Sequence, residues 1–175
     1  MNDLQHFIKL GVQFAYPFYW KRWDVLKYYS ITFKFKNGII TGNKIETIFK
    51  TAEFNLPNLS LTGIGNHHDY VGQTKHKNVS LILDDPYRAC KGFRDNSVDF
   101  VFIEDIKNYT DMLLNIDIWK SKVHEYGLLM GANYNWGDVA RAVGETFTEV
   151  WILPDNVWAA STNWFRETHG QNSNR

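Results

Sequence analysis

A short polar segment follows a strongly apolar run near the middle of the chain. The run is Val98–Ile103 ("VDFVFI"), broken only by Asp99, and the residues after it include Glu104, Asp105 and Tyr109. Runs without two-residue alternation are typical of strands buried on both faces of a parallel sheet, and ligands bind beyond the carboxyl ends of such strands. A carboxylate can act as a general base, and a tyrosine hydroxyl can hold a substrate by a hydrogen bond. These three residues are therefore candidate catalytic residues.

The second half of the chain has the alternation of strand-like and helix-like segments that is typical of βαβ units. Helices are predicted after Asp85, where Pro86 suits a first helical position, and at residues 111–123 and 136–147, the former closed by "EYG" at 125–127. Strands are predicted at residues 59–64, 79–83, 98–103 and 128–131. Residues 150–153 and 157–160 flank a Pro-Asp-Asn turn and predict an antiparallel hairpin. The expected fold is a three-layer, doubly wound α/β domain whose sheet is mostly parallel, with residues 100–103 at its centre.

The first third of the chain is less regular. We predict a strand at residues 30–35, a glycine-containing loop, and a helix at 43–54 that buries Ile48, Phe49 and Ala52. Residues 1–29 are rich in aromatic side chains and are interpreted as an N-terminal cap. The α/β domain then covers residues 30–166, and residues 167–175 form a polar tail.

Composition limits the classes of partner. The formal net charge is zero, so no overall field attracts nucleic acid, although Lys34 and Lys36 with nearby aromatic residues leave a weak case for it. The single cysteine excludes an internal disulfide and a cysteine-based zinc site. No apolar run is long enough to span a membrane. We expect a cytoplasmic protein that acts on a small molecule; a homo-oligomer is compatible with the sequence.

The order of these segments, and two of them in particular, resemble the class I S-adenosylmethionine-dependent methyltransferases, which have a Rossmann-like fold. One branch of that family has a fourth strand like "sfDfvfIDgdHsY" and a fifth like "GGiiggHDY.w". The corresponding segments here are "SVDFVFIEDIKNY" at 97–109 and "YGLLMGANYNW" at 126–136. The helical segments "LLNIDIWKSKV" and "GDVARAVGETF" also match the family, and the resemblance covers about residues 59–160.

The resemblance implies S-adenosylmethionine as cofactor and assigns residues to it. The family's glycine-rich turn after strand one corresponds to "KFKNGIITG" at 34–42, so Gly38 and Gly42 would approach the methionine part. Lysines stand there in place of the usual acidic residue, and a plain hairpin turn is the alternative interpretation.

The two parts of the nucleoside have separate candidate residues. Strand two ends in Gly65 and Asn66, where the family has a carboxylate for the ribose hydroxyls. Asp84 and Asp85 follow strand three, where the family places the acceptor for the adenine amino group. Asp85 could instead cap a helix, whereas Asp84 has no such structural role in the sequence.

A divalent metal, which this branch of the family holds, is not expected. Glu104 retains the family's acidic ligand, but Lys107 replaces a histidine and Ala132-Asn133 replaces His-Asp. A protonated lysine has no lone pair for a cation. We predict that the Lys107 ammonium either balances Glu104 and Asp105 in place of the metal or points into solvent.

Two functions follow from these observations. The first is S-adenosylmethionine-dependent methyl transfer to a small molecule, with Glu104 or Asp105 as a base and Tyr109 or Tyr134 positioning the acceptor. The second is a degenerate methyltransferase fold without cofactor or metal that serves as a binding or structural module.

Overall fold

The structure, a computed structural model, describes residues 19–65 and 76–164 and contains one seven-stranded sheet. The strands are β1 (Asn37–Thr41), β2 (Ser60–Ile64), β3 (Val79–Ile82), β4 (Val98–Ile103), β5 (Val123–Gly131), β6 (Trp151–Leu153) and β7 (Val157–Ser161). Their order across the sheet is β3-β2-β1-β4-β5-β7-β6. All pairs from β3 to β5 are parallel, whereas β7 is antiparallel to β5 and to β6. The predicted mostly parallel sheet with a central β4 and an antiparallel C-terminal hairpin is confirmed.

Helices cover both faces of the sheet. They are α1 (Arg22–Thr32), α2 (Ile45–Ala52), α3 (Pro86–Ala89), α4 (Tyr109–Lys120) and α5 (Gly137–Thr146). Side chains of α1 and α2 pack with alternate β4 residues such as Phe100 and Phe102. Side chains of α3, α4 and α5 pack on the opposite face with Val101 and Ile103. Because β4 is buried on both faces, it needs apolar residues at successive positions, which is the pattern that its sequence shows.

The predicted strand at residues 30–35 is wrong, because α1 extends to Thr32 and crosses the expected boundary between residues 29 and 30. Val25, Leu26 and Tyr29 lie on one helical face and are at most 3% exposed. The alternation of apolar and polar residues at 30–35 suggested a strand, but this burial of a helical face decides the local structure.

The end of α1 has the backbone geometry of a Schellman motif. The N–H of Phe35 donates to the carbonyl of Ser30 at 3.0 Å, and the N–H of Lys34 donates to that of Ile31 at 3.3 Å. Lys34 has a φ of 55°, in the left-handed region, at the position where glycine is usual. β1 begins directly after this turn, at Asn37.

Gly38 lies inside β1 and not in a cofactor loop or a hairpin turn, so both interpretations of this glycine are corrected. It pairs with Leu61 of β2 and Phe100 of β4. A Cβ atom at Gly38 would lie 2.2 Å from Cζ of Phe100, so the glycine makes room for the phenylalanine ring. Its function is therefore in packing at the centre of the sheet.

The remaining boundaries agree with the expectations only in part. The helix at 43–54 is α2, in which Ile48 and Ala52 are buried and Phe49 is half-buried. The segment "EYG", expected to close a helix, lies within β5 because that strand already begins at Val123. No helix in the described ranges is both long and apolar enough to cross a membrane. Residues 1–18 of the predicted aromatic cap and the polar tail at 167–175 lie outside the described residues.

Candidate functional site

A cleft of about 640 Å³ opens beyond the carboxyl ends of β1, β2, β3 and β4. The chain runs from β1 outward to β2 and β3 and then returns to β4 on the other side of β1, so β1 and β4 flank a topological switch point. Six of the predicted site residues line this cleft: Gly42, Gly65, Asp84, Asp85, Glu104 and Asp105.

Backbone hydrogen bonds continue the sheet one residue beyond these strands and align their tips. Gly42 donates to Ile64 at 2.9 Å, and Glu104 donates to Thr41 at 2.7 Å. Gly42 has a φ of 129°, and a Cβ atom there would lie 2.7 Å from Cβ of Glu104. Only glycine fits at Gly42. The bare backbone at this point forms part of the cleft wall.

Glu104 is 1% exposed and is held by two side chains from different helices. Its Oε2 accepts from Nη1 of Arg22 at 2.8 Å, and its Oε1 accepts from the hydroxyl of Thr47 at 2.5 Å. Burial raises the pKa of Glu104, against the lowering effects of the Thr47 hydrogen bond and the charge of Arg22. Both carboxylate oxygens are therefore engaged within the protein, which leaves this residue poorly placed to take a proton from a substrate.

Arg22 joins α1 to two other elements. Besides Glu104, its Nε donates to Oδ2 of Asp155 at 2.8 Å, in the turn between β6 and β7, and its backbone N–H donates to the same oxygen at 3.1 Å. Burial lowers the pKa of Arg22, but the hydrogen bond to Asp155 and the charges of Glu104 and Asp155 raise it more, so the pKa lies above its ordinary value. The guanidinium thus stays charged and holds α1, the tip of β4 and the hairpin together.

Asp105 differs from Glu104 in its access to the cleft. Its side chain is 33% exposed, and Oδ1 lies 3.8 Å from Nζ of Lys44. Asp105 has a φ of 60°, a left-handed conformation that costs a non-glycine residue free energy and often marks a functional site. Of the two predicted carboxylate bases, Asp105 is the one with an accessible carboxylate.

Asp84 and Asp85 follow β3 and enter the cleft wall side by side. Asp85 caps α3, because its Oδ1 accepts from the N–H of Tyr87 at 2.9 Å. Asp84 also has a structural role, contrary to expectation: its Oδ1 accepts from the N–H of Asp85 and from Nε of Arg88. These contacts lower the pKa of Asp84, the Asp85 N–H most strongly, and keep it ionised. Within the described part of the chain, Oδ2 of Asp84 has no hydrogen-bond partner.

Three predicted site residues are not among the described residues that line the cleft. Gly38 lies inside β1, as described above. Tyr109 begins α4, donates its hydroxyl to Glu145 and packs its ring under Arg141, so it links α4 to α5. Burial is not the main cause of its raised pKa; the hydrogen bond to Glu145 is. Asn66 lies outside the described residues.

Lys107 does not neutralise Glu104, so the structure corrects that prediction and supports its alternative. Its Nζ lies 5.4 Å from the centre of the Trp136 ring, and the residue is exposed. Arg22 supplies the positive charge instead. Ala132 is buried and offers no ligand atom, and residues 19–65 and 76–164 contain no group of three or more His, Cys, Asp and Glu side chains arranged to hold a metal ion. At the two positions where the resemblance implies metal ligands after β4 and β5, Lys107 and Ala132 thus offer no ligand atom for a cation.

Several polar residues at or behind the cleft were not assigned to it from the sequence, among them Arg22, Thr47, Arg88, Asp111 and Asn115. Arg22 and Thr47 lie 82 and 57 residues before Glu104, and neither has a local motif. Arg88 could have been found, because it lies four residues after Asp84, at the helical spacing of an ion pair. Asn115 is 4% exposed, and its polarity on the inner face of α4 was a signal for a role there.

Solved structures with similar folds were found, although no protein-family model and no curated protein sequence matches the chain. A methyltransferase from Geobacter sulfurreducens has a TM-score of 0.60 at 14% identity, with 96% of this chain and 91% of that chain covered. A putative caffeoyl-CoA O-methyltransferase from Staphylococcus aureus has a TM-score of 0.60 at 13% identity, with 91% of each chain covered. A cofactor-bound protein from MTB has a TM-score of 0.64 at 7% identity, with 94% and 91% covered.

Proposed function

We propose that this chain, which has the fold of the class I methyltransferases, binds S-adenosylmethionine in the cleft at the strand tips and transfers its methyl group to a small molecule. One observation carries the proposal. Gly42, Gly65 and Asp84, which come from three different strand ends, meet around a single cleft beside the switch point of the sheet. Clefts at this position in open α/β sheets are the usual place for a nucleotide-like ligand.

The chemistry of the cleft suits the two ends of this cofactor. The bare backbone at Gly42 permits close approach by the methionine part, and Oδ2 of Asp84 is available for the amino group of adenine. Carboxylates at Asp85, Asp105 and Asp111 add negative charge to the cleft wall, which favours a ligand with a positive sulfonium. When bound, the cofactor supplies a methyl group activated by that sulfonium.

Within this proposal, Asp105 is the carboxylate that accepts a proton from the acceptor molecule. It lines the cleft with a partly exposed side chain, and its Oδ1 lies 3.8 Å from Nζ of Lys44. Glu104, whose two oxygens are bound by Arg22 and Thr47, orders the strand tip from behind. Methyl transfer mainly requires that the two reactants be aligned, so one accessible base is sufficient.

A second candidate function is a binding or structural module that has lost catalysis. The ion pair between Arg22 and Glu104 favours this alternative, because it leaves the Glu104 carboxylate bound within the protein and not free for a substrate. This alternative predicts no affinity for S-adenosylmethionine.

Titration calorimetry with S-adenosylmethionine tests the proposal, using the full chain and an Asp84→Asn variant. The asparagine can still accept from the N–H of Asp85 but presents an amide in place of Oδ2. Loss of one hydrogen bond to a charged group costs about 1.5 kcal/mol, so the dissociation constant should rise about tenfold.

Asp95→Asn is the matched control. Asp95 is also an ion-paired aspartate, bound to Lys122 at 2.6 Å, but it precedes β4 at the opposite end of the strands. The affinity of the Asp95→Asn variant for S-adenosylmethionine should equal that of the unmodified chain. Absence of heat and of saturation with the unmodified chain would refute the proposal and leave the binding or structural module as the better account.

A further inference from the structure

A second, smaller cavity of about 290 Å³ lies at the other end of the strands from the cleft. It is enclosed by the end of α1, the turn that leads into β1, and the segment that precedes β2. Phe35 and Leu59, both at most 5% exposed, form its buried wall, and Leu56 and Ile31 complete its apolar lining. The cavity therefore has room for a small apolar group.

One polar atom in the wall lacks a partner. Ser30 lines the cavity and is 4% exposed, and its Oγ makes no hydrogen bond within the described residues. Buried hydroxyl groups are usually paired, because an unpaired one gives up the hydrogen bond that it makes with water in the unfolded chain. The Oγ atom is itself buried, so a ligand in the cavity reaches it only if the Ser30 side chain rotates.

Two lysines, Lys34 and Lys36, also line the cavity, and both are exposed. Neither ammonium forms an ion pair with any carboxylate in the described ranges. The nearby carboxylate of Asp99 is engaged otherwise: it accepts from the backbone N–H groups of Lys36 and Asn37 and bonds His124 at 2.9 Å. The cavity thus has positive charge at its rim that the described protein does not neutralise.

The conformation of Lys34 makes its charge testable by a substitution that does not harm the fold. Lys34 has a φ of 55° at the end of α1, where glycine would avoid the cost of the left-handed conformation. Glycine at this position would therefore be the more stable choice, and it would remove one charge from the rim of the cavity.

We infer that this cavity is a binding site for a small amphipathic carboxylate, distinct from the cleft at the strand tips. The apolar part of the ligand packs against Phe35 and Leu59. The carboxylate lies at the rim, where Lys34 and Lys36 neutralise it. This combination of an apolar wall and a few convergent polar groups is typical of small-molecule sites.

Octanoate is a suitable probe, with octanol as its uncharged counterpart, and both can be titrated into the full chain labelled with ¹⁵N. Octanoate should bind in a saturable manner and shift the amide signals of Phe35 and Leu59, and octanol should bind at least fivefold more weakly. Saturation of the cleft with S-adenosylmethionine should leave these shifts in place, so the two sites are tested independently.

The Lys34→Gly variant separates a ligand-binding role from a structural one. It should raise the melting temperature, since glycine suits the left-handed position, and yet weaken octanoate binding at least threefold. Lys91→Ala, which removes an exposed charge elsewhere, should leave octanoate binding unchanged. The inference is overturned if octanoate does not saturate, if its shifts lie at the cleft, or if Lys34→Gly binds octanoate as tightly as the unmodified chain.

Discussion

At the scale of single residues, Glu104 is a buried negative charge that the chain neutralises with its own guanidinium. The pair with Arg22 is 2.8 Å long, and the carboxylate side chain has no exposed surface. Removing one partner of a buried ion pair leaves an uncompensated charge, which costs much more free energy than losing an exposed pair. Arg22 should therefore matter to stability despite lying outside the cleft lining.

We expect Arg22→Met to lower the free energy of unfolding by about 3 kcal/mol at neutral pH, since Met keeps the apolar stem and removes the charge. Chemical denaturation measures this value. Lys50→Met is the control, because Lys50 is exposed and its pair with Glu53 lies on the surface, so its cost should stay below about 0.5 kcal/mol. Equal costs for the two variants would show that the buried pair contributes no more than a surface pair.

The titration of Glu104 gives a second prediction. Burial raises its pKa above the ordinary value of 4.5, so the unfolded chain loses this proton first as pH rises. The group therefore reduces stability progressively from about pH 4.5 up to its folded pKa, and not below that window.

Arg22→Met removes a charge that lowers the Glu104 pKa, so the pKa should rise further and the destabilisation by this variant should shrink in acid. Carbon-13 NMR of the carboxyl group measures the pKa directly. A pKa that does not change in Arg22→Met would contradict the ion pair.

At the scale of elements, the predictions of helices and strands were correct where burial or a turn leaves a recognisable pattern in the local sequence. β4 was predicted with its observed bounds, because burial on both faces requires consecutive apolar residues. The hairpin of β6 and β7 was predicted from its turn, where Asp155 and Asn156 both have positive φ. The predicted strand at residues 30–35 was wrong, because the packing of α1 against the sheet outweighs the local alternation of apolar and polar residues.

Gly38 offers a test of packing at the centre of the sheet. We expect Gly38→Ala to cost about 1–3 kcal/mol, because its Cβ atom would overlap the ring of Phe100 in the neighbouring strand. Gly144→Ala is the matched control: Gly144 lies in α5, and a Cβ atom there would meet nothing within 4 Å. That variant should stabilise the protein by about 0.5–1 kcal/mol, owing to the better helix propensity of alanine. Thermal denaturation of both variants should give shifts of opposite sign, and a stable Gly38→Ala protein would contradict the register of β1 and β4.

At the scale of the whole molecule, the formal net charge is zero, but the two ends of the parallel strands carry side chains of opposite charge. The cleft at the carboxyl ends of the strands carries five carboxylates against Arg88, namely Asp84, Asp85, Glu104, Asp105 and Asp111. The cavity at the other end carries Lys34 and Lys36. Composition alone could not show this separation, because it depends on which strand ends the topology brings together.

The candidate site was likewise predictable in part. Residues directly after strands could be assigned to the cleft, since parallel strands end at one edge. Arg22 could not be assigned, because its contact with Glu104 joins positions 82 residues apart. The positive charge expected in place of a metal was assigned to Lys107, which is close in sequence, whereas the fold supplies it from Arg22 of α1.

The central claim, that the cleft at the strand tips holds S-adenosylmethionine, is tested most directly by a crystal structure of the full chain with S-adenosylhomocysteine. The account predicts electron density for the nucleoside in the cleft, with the adenine amino group within hydrogen-bond distance of Oδ2 of Asp84 and the amino acid part against the backbone of Gly42. Density at another site, or none at saturating ligand, would contradict the account.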